Sequence, residues 1–140
     1  MKRTFLLDTG PLVAFLNRRD HYHSWAMERL SQIEPPLLTC ESVLSEACFL
    51  LRSQEKGREA VLELVQRGLI VVSFDLQREA IPVKNLVARY ANVPMDLADA
   101  CLVRMSELQP DSILLTLDSD FSIYRRNGRS MIRMSKPEGL

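Results

Sequence analysis

The tightest constraint in the sequence lies close to its start, where the apolar run Phe5-Leu6-Leu7 stops at Asp8-Thr9-Gly10-Pro11. The stretch Thr4 to Leu7 is too short, and too closely followed by glycine and proline, to be a helix. It reads as a buried central strand, with Asp8 emerging at its C-terminal end. In open α/β sheets that edge is where ligands bind. A strand-end aspartate is also often just the cap of the next helix. The two readings separate on whether other acids reach the same edge.

The rest of the chain alternates between helical and strand-like patterns. Pro11 suits a first helical turn, with Leu12, Val13, Phe15 and Leu16 as the apolar positions. A second helix is expected from about His21 to Ile33, stopped by Pro35-Pro36, and then a strand over Leu37 to Cys40. The segment Ser42 to Ser53 predicts a helix whose stripe holds Val43, Ala47 and Leu50, with Leu44, Cys48 and Leu51 beside it. Glu46 falls on that apolar face. Arg58 to Arg67 predicts a helix ended by Gly68, and Leu69 to Phe74 a strand. Leu76 to Tyr90 has helical spacing, with Pro82 interrupting its first turns.

Asp96 is the expected N-cap of a helix reaching about Leu108. Ile113 to Thr116 is again a buried strand that ends in acid, Leu117-Asp118-Ser119-Asp120-Phe121. A short helix over Phe121 to Arg126, a turn at Asn127-Gly128 and a last strand around Met131 to Met134 complete the expectation. This order predicts one domain, residues 1–140, built as a three-layer α/β/α sandwich around a mostly parallel sheet.

Composition narrows the function classes. The 140 residues carry 18 Lys and Arg against 18 Asp and Glu, so no overall basic field favours tight duplex binding. An enzyme that touches RNA locally stays open. Cys40, Cys48 and Cys101 form no CxxC pair, which suits reduced thiols in a cytoplasmic protein. The start is too short in apolar residues for a signal peptide, and no run could span a membrane.

The acids are the unusual feature. Asp8 and Asp118 follow apolar strands, Glu46 sits on an apolar helix face, and Asp99 shares a stripe with Asp96 and Val103. Each has an ordinary reading alone: helix cap, dipole complement, turn residue, or, for Glu46, a buried ion pair with Arg89 or Arg104. Together they are harder to explain so. Two carboxylates about 4 Å apart repel by about 4 kcal/mol at an effective dielectric near 20. Several gathered at one edge need protons or a multivalent cation. Oxygen donors without Cys/His ligand spacing point to Mg²⁺ or Mn²⁺.

The segments LLDTG, SEACFLL, MDLADACLV and TLDSDF, in this order and spacing, resemble the PIN-domain nucleases, and within them the prokaryotic group that includes VapC-type toxins. The resemblance covers nearly the whole chain. It implies a PIN-like fold, hydrolytic cleavage of RNA with Mg²⁺ or Mn²⁺, an antitoxin protein as partner, and a homodimer. Asp8, Glu46, Asp99 and Asp118 match the family's four acids. Asp8 and Asp99 are then the expected direct ligands, and Glu46 and Asp118 orient water or hold a second ion. Thr116 matches the hydroxyl position that orients a carboxylate or a water. Asp96 and Asp120 are additional candidate ligands, Asp96 being equally a plain helix cap.

Arg125, Arg126 and Arg129, with Arg133, form the densest basic cluster, either a phosphate contact or a solvated surface. A groove using Leu12, Phe15 and Leu16 would suit an antitoxin, although these residues equally suit a core. Apolar-apolar-Asp-Thr-Gly is also the signature of aspartic proteases, which are mostly β, against the helical content here. Phosphotransfer folds of the dehalogenase type want an acid where Gly10 stands. A catalytically silent PIN-like interaction module and a stand-alone RNA-processing nuclease are the remaining alternatives.

Overall fold

The computed structural model describes residues 3–140. Its centre is a parallel five-stranded sheet in the order β3-β2-β1-β4-β7. The strands are β1 (Phe5–Leu7), β2 (Leu37–Thr39), β3 (Ile70–Val72), β4 (Ile113–Leu115) and β7 (Met134–Ser135). β5 (Arg125–Arg126) and β6 (Ser130–Met131) form a separate antiparallel hairpin. The six α-helices among the described residues are α1 (Thr9–Leu16), α2 (His23–Ser31), α3 (Glu41–Leu50), α4 (Gly57–Gln66), α5 (Ala80–Arg89) and α6 (Leu97–Leu108).

β1 pairs with β2 on one side and β4 on the other, with Leu6 opposite Leu38 and Leu114. The chain builds outward from β1 through β2 to β3, then returns to place β4 on the opposite side. The gap between β1 and β4 is therefore the switch point of the sheet, where the following segments diverge and leave a crevice. α1 packs on α2, α3 and α4, while α5 packs on α6, and α6 contacts β1 and β4. Leu6, Leu7, Leu114 and Leu115 are almost wholly buried between these layers. Burying each such side chain stabilises by about 1.5–3 kcal/mol, so the register that points the strand ends at the crevice is firmly held.

Helix ends follow local chemistry. Gly68, at φ +74°, closes α4 with Gly68 N–H to Val65 O at 3.0 Å and Leu69 N–H to Leu64 O at 3.1 Å. This is the left-handed ending that glycine makes cheap. Pro82 lies in the first turn of α5, where a missing N–H costs nothing. The three cysteines are free thiols. No helix among the described residues is long and apolar enough to cross a membrane.

Two expectations fail near the C-terminus. The helix expected over Phe121 to Arg126 is only a 3-10 turn, Ser119–Ser122, and Arg125–Arg126 is extended. The expected final strand is divided: Met131 belongs to the hairpin, and only Met134–Ser135 joins the main sheet beside β4. The cause is the Asn127-Gly128 turn. Both residues have positive φ, +53° and +72°, the sign pattern of a tight hairpin, and Arg129 N–H bonds Arg126 O at 3.1 Å.

Candidate metal centre

β1 ends at Leu7, and Asp8 caps α1 by accepting Thr9 N–H on Oδ1 at 2.7 Å. The cap reading is therefore correct, but it uses one carboxylate oxygen. Oδ2 accepts the Thr116 hydroxyl at 2.6 Å, across the β1–β4 pair. Asp8 N–H bonds Leu115 O at 3.0 Å, so the two strand ends are stapled together where they diverge. Thr116 is fully buried, and its oxygen also accepts Asp118 N–H at 2.9 Å. Asp118 in turn accepts Asp120 N–H at 2.9 Å and so starts the 3-10 turn.

Asp99 arrives from the other layer. Asp96 caps α6, accepting Asp99 N–H at 2.8 Å, and Asp99 Oδ2 accepts Asp96 N–H in return at 3.4 Å. This reciprocal box satisfies two helix-end donors. It also holds Asp99, 7 % exposed, facing the crevice. Asp99 Oδ2 accepts a second bond, from the Tyr124 hydroxyl at 3.1 Å. Tyr124 is fully buried and was not anticipated from sequence. The only cue, an aromatic three residues beyond Phe121, reads as ordinary core.

Glu46 differs from expectation. The buried stripe of α3 is Val43, Leu44 and Ala47, continued by Leu51, while Glu46 and Leu50 are exposed on its flank. Helical geometry puts Glu46 and Leu50 together on one edge of that stripe, and the packing of α1 against α3 leaves this edge outside the core. The ion pair considered for Glu46 is not formed either. Arg104 instead bonds Glu79 at 2.7 Å and Glu107 at 3.1 Å.

One groove of about 420 Å³ collects these residues. Asp8, Glu46, Asp96, Asp99 and Asp118 line it together with Thr9, Gly10, Leu50, Leu117 and Ser119. Asp120 and Thr116 do not line it; Thr116 stands behind Asp8 and Asp120 at the start of the 3-10 turn. Gly10 matters here by packing. A Cβ at that position would meet the Leu117 side chain at 3.1–3.2 Å, beside Asp118.

The electrostatics agree with the crowding. Burial, opposed by the Thr116 and Thr9 hydrogen bonds, pushes Asp8 up to about 6, with the charges of Asp118 and Glu46 adding to the rise. Burial and the neighbouring Asp96 charge push Asp99 up to about 7. Among the described residues no Lys, Arg or His forms an ion pair with any of the four acids. Nor do any three Asp, Glu, His or Cys side chains there close into a ready-made cation cage. The acids face a common space as hard oxygen donors without a compensating charge, and that donor set fits Mg²⁺ or Mn²⁺.

The arginines are elsewhere engaged. Arg125 Nη1 donates to the carbonyls of Ser122, Ile123 and Tyr124 at 2.7, 3.0 and 3.1 Å. Arg126 Nη1 donates to Pro110 O at 3.0 Å. Arg129 is exposed. A separate apolar cleft of about 260 Å³ between the early helices is lined by Leu12, Phe15, Met27 and Leu30, and not by Leu16.

A PIN-domain family model matches residues 5–127. Among solved structures, the Mycobacterium tuberculosis toxin VapC20, described as cleaving the sarcin-ricin loop, superposes with a TM-score of 0.76 at 20% identity, covering 93% of this chain and 99% of that one. No curated protein sequence matches closely enough to count as a relative.

Proposed function

The chain belongs to the PIN-domain family, and from that premise we propose that it is a Mg²⁺- or Mn²⁺-dependent endoribonuclease, the toxin of a toxin–antitoxin pair. The observation that carries the nuclease reading is the convergence of Asp8, Glu46, Asp99 and Asp118 on one groove at the sheet's switch point. The likeness in fold to a toxin that cleaves RNA supports the choice of RNA, and of an antitoxin as partner. A homodimer and a cytoplasmic location follow from the same reading.

Asp8 and Asp99, the two buried carboxylates, would hold the cation, with Glu46 and Asp118 facing the same space from more exposed positions. A bound divalent ion would supply charge to the phosphodiester and lower the pKa of an attacking water. The protein's own part is positioning. Thr116 fixes the Asp8 carboxylate, and the α6 capping box fixes Asp99. Glu46 and Asp118, which line the same groove, would be the carboxylates available to accept a proton from an attacking water. The burial of Asp8 and Asp99 strengthens the interactions of these two carboxylates.

The test is incubation of the protein with mixed RNA and Mg²⁺ or Mn²⁺, against EDTA, with Asp8→Ala alongside. Cleavage that needs the ion and Asp8 supports the reading. Co-expression with any short protein encoded in a neighbouring reading frame tests the partner. Suppressed cleavage and a stable complex are expected.

A further inference from the structure

Tyr124 is a buried hydroxyl in a wall of apolar residues, and its hydrogen bond runs to an acid of the groove. The ring is fully buried. It stands edge-on to Tyr90 with centroids 5.0 Å apart, and edge-on to Phe121 at 5.3 Å. Such contacts fix the ring plane and hence the position of its hydroxyl oxygen. The cluster is tied to the backbone as well, since Tyr90 Oη accepts Arg125 N–H at 2.9 Å, one residue beyond Tyr124. Arg125 clamps the same turn through its guanidinium, and α5 leads into α6 through Met95 N–H to Tyr90 O at 3.1 Å.

The pattern of bonds on the two buried acids differs. Asp8 uses both oxygens, Oδ1 toward Thr9 N–H and Oδ2 toward Thr116. Asp99 receives both of its donors, Tyr124 O–H and Asp96 N–H, on the same atom, Oδ2. Oδ1 has no donor among the described residues. A carboxylate held through one oxygen by two donors of fixed direction cannot turn about its Cβ–Cγ bond without breaking both. The 3.4 Å bond from Asp96 is long, so the Tyr124 bond at 3.1 Å is the stronger restraint.

We propose that Tyr124 is the positioning residue of the metal centre: its hydroxyl engages Asp99 Oδ2 and thereby leaves Oδ1 as the oxygen that would be available to a cation. The inference rests on the reading of Asp99 as a ligand given above. Outer partners of metal-binding side chains act in this way, and their loss costs about 10–100-fold in metal affinity or activity. The position also explains why a tyrosine is buried here when phenylalanine would fill the space: among the described residues the hydroxyl bonds one partner, and that partner is the acid.

The test is Mn²⁺ binding to the full chain, followed by the loss of the free-ion spin-resonance signal, so that no turnover is needed. Four proteins are compared: wild type, Tyr124→Phe, Tyr90→Phe and Asp99→Ala. Tyr124→Phe keeps the ring and removes the bond to Asp99. Tyr90→Phe removes a hydroxyl from the same cluster whose hydrogen bond, among the described residues, is to the Arg125 backbone and not to an acid. The expected result is about tenfold or greater weakening in Tyr124→Phe, little change in Tyr90→Phe, and near-complete loss in Asp99→Ala. Wild-type affinity in Tyr124→Phe overturns the proposal, as does equal weakening in both tyrosine variants, which would assign the effect to packing. Wild-type affinity in Asp99→Ala overturns instead the reading on which the proposal stands. Thermal melting of each variant without metal verifies that the fold is retained.

Discussion

Thr116 donates its hydroxyl to Asp8 Oδ2 at 2.6 Å, joining two residues 108 positions apart in the chain. The parallel pairing of β1 with β4 brings the two strand ends level, and the hydroxyl then serves two acids by also accepting Asp118 N–H. Thr116→Val keeps the shape and removes both bonds. It is expected to destabilise the protein by about 1–3 kcal/mol, because it leaves buried polar groups unpaired. Thr116→Ser should recover most of that. Urea unfolding of the three proteins measures the difference, and Thr116→Val should also cleave RNA more slowly than Thr116→Ser.

The raised pKa values of Asp8, about 6, and Asp99, about 7, make stability depend on pH in a definite direction. Between about pH 4 and pH 7 the folded protein holds protons on these acids that the unfolded chain has released. Stability from this source is therefore full below the unfolded value and is lost as pH rises through the folded values. The slope is on the order of 1.4 kcal/mol per pH unit for each group within its window. Melting temperatures in EDTA should show Asp8→Asn gaining on the wild type as pH rises from about 5 to 8. Divalent ions compete with the same protons, so their binding should tighten over that interval and release protons on mixing.

Asp96 separates capping from charge. It caps α6 with its side chain, and its charge is a leading cause of the raised Asp99 value. Asp96→Ser keeps a capping oxygen and removes the charge. Stability at neutral pH should change by less than about 1 kcal/mol, and the acid limb of the cleavage profile should move to lower pH. Asp96→Ala should do the same to the profile but cost about 1 kcal/mol of stability.

The arginines divide by their bonds. Arg125→Ala removes the donor shared by three carbonyls and should cost about 1–3 kcal/mol in unfolding experiments. Arg129 is exposed, and Arg129→Ala should leave stability within about 0.5 kcal/mol. If Arg129 meets a phosphate, the salt dependence of RNA binding should fall by about one unit of slope in that variant.

What the sequence revealed depended on how local each signal was. β1, β4 and the caps at Asp8 and Asp96 were legible because short apolar runs ending in Asp, Gly or Pro are local patterns. The mostly parallel sheet and its layers followed from the alternation of strands and helices, whereas the strand order is set by non-local pairing that no local pattern carries. Glu46 was placed on the right helix and the wrong side of its exposure, because periodicity gives an angle and not which neighbour covers it. The hairpin at Arg125 to Met131 was misread despite its Asn-Gly turn, since two-residue strands carry no alternation to detect. Tyr124 was missed for a different reason. Its partner Asp99 lies 25 residues away, and the bond exists only because the aromatic cluster folds the chain back onto α6.

The most direct measurement follows Mn²⁺ binding and single-turnover RNA cleavage in the same preparations of wild type, Asp8→Ala, Asp99→Ala and Asp118→Ala. A single acidic centre predicts that cleavage requires the ion and stops in EDTA. It also predicts that Asp8→Ala and Asp99→Ala lose binding and cleavage together while staying folded. Asp118→Ala should lose cleavage by a larger factor than binding. RNA cleavage at the wild-type rate in EDTA, or in the Asp8→Ala and Asp99→Ala proteins, would contradict it.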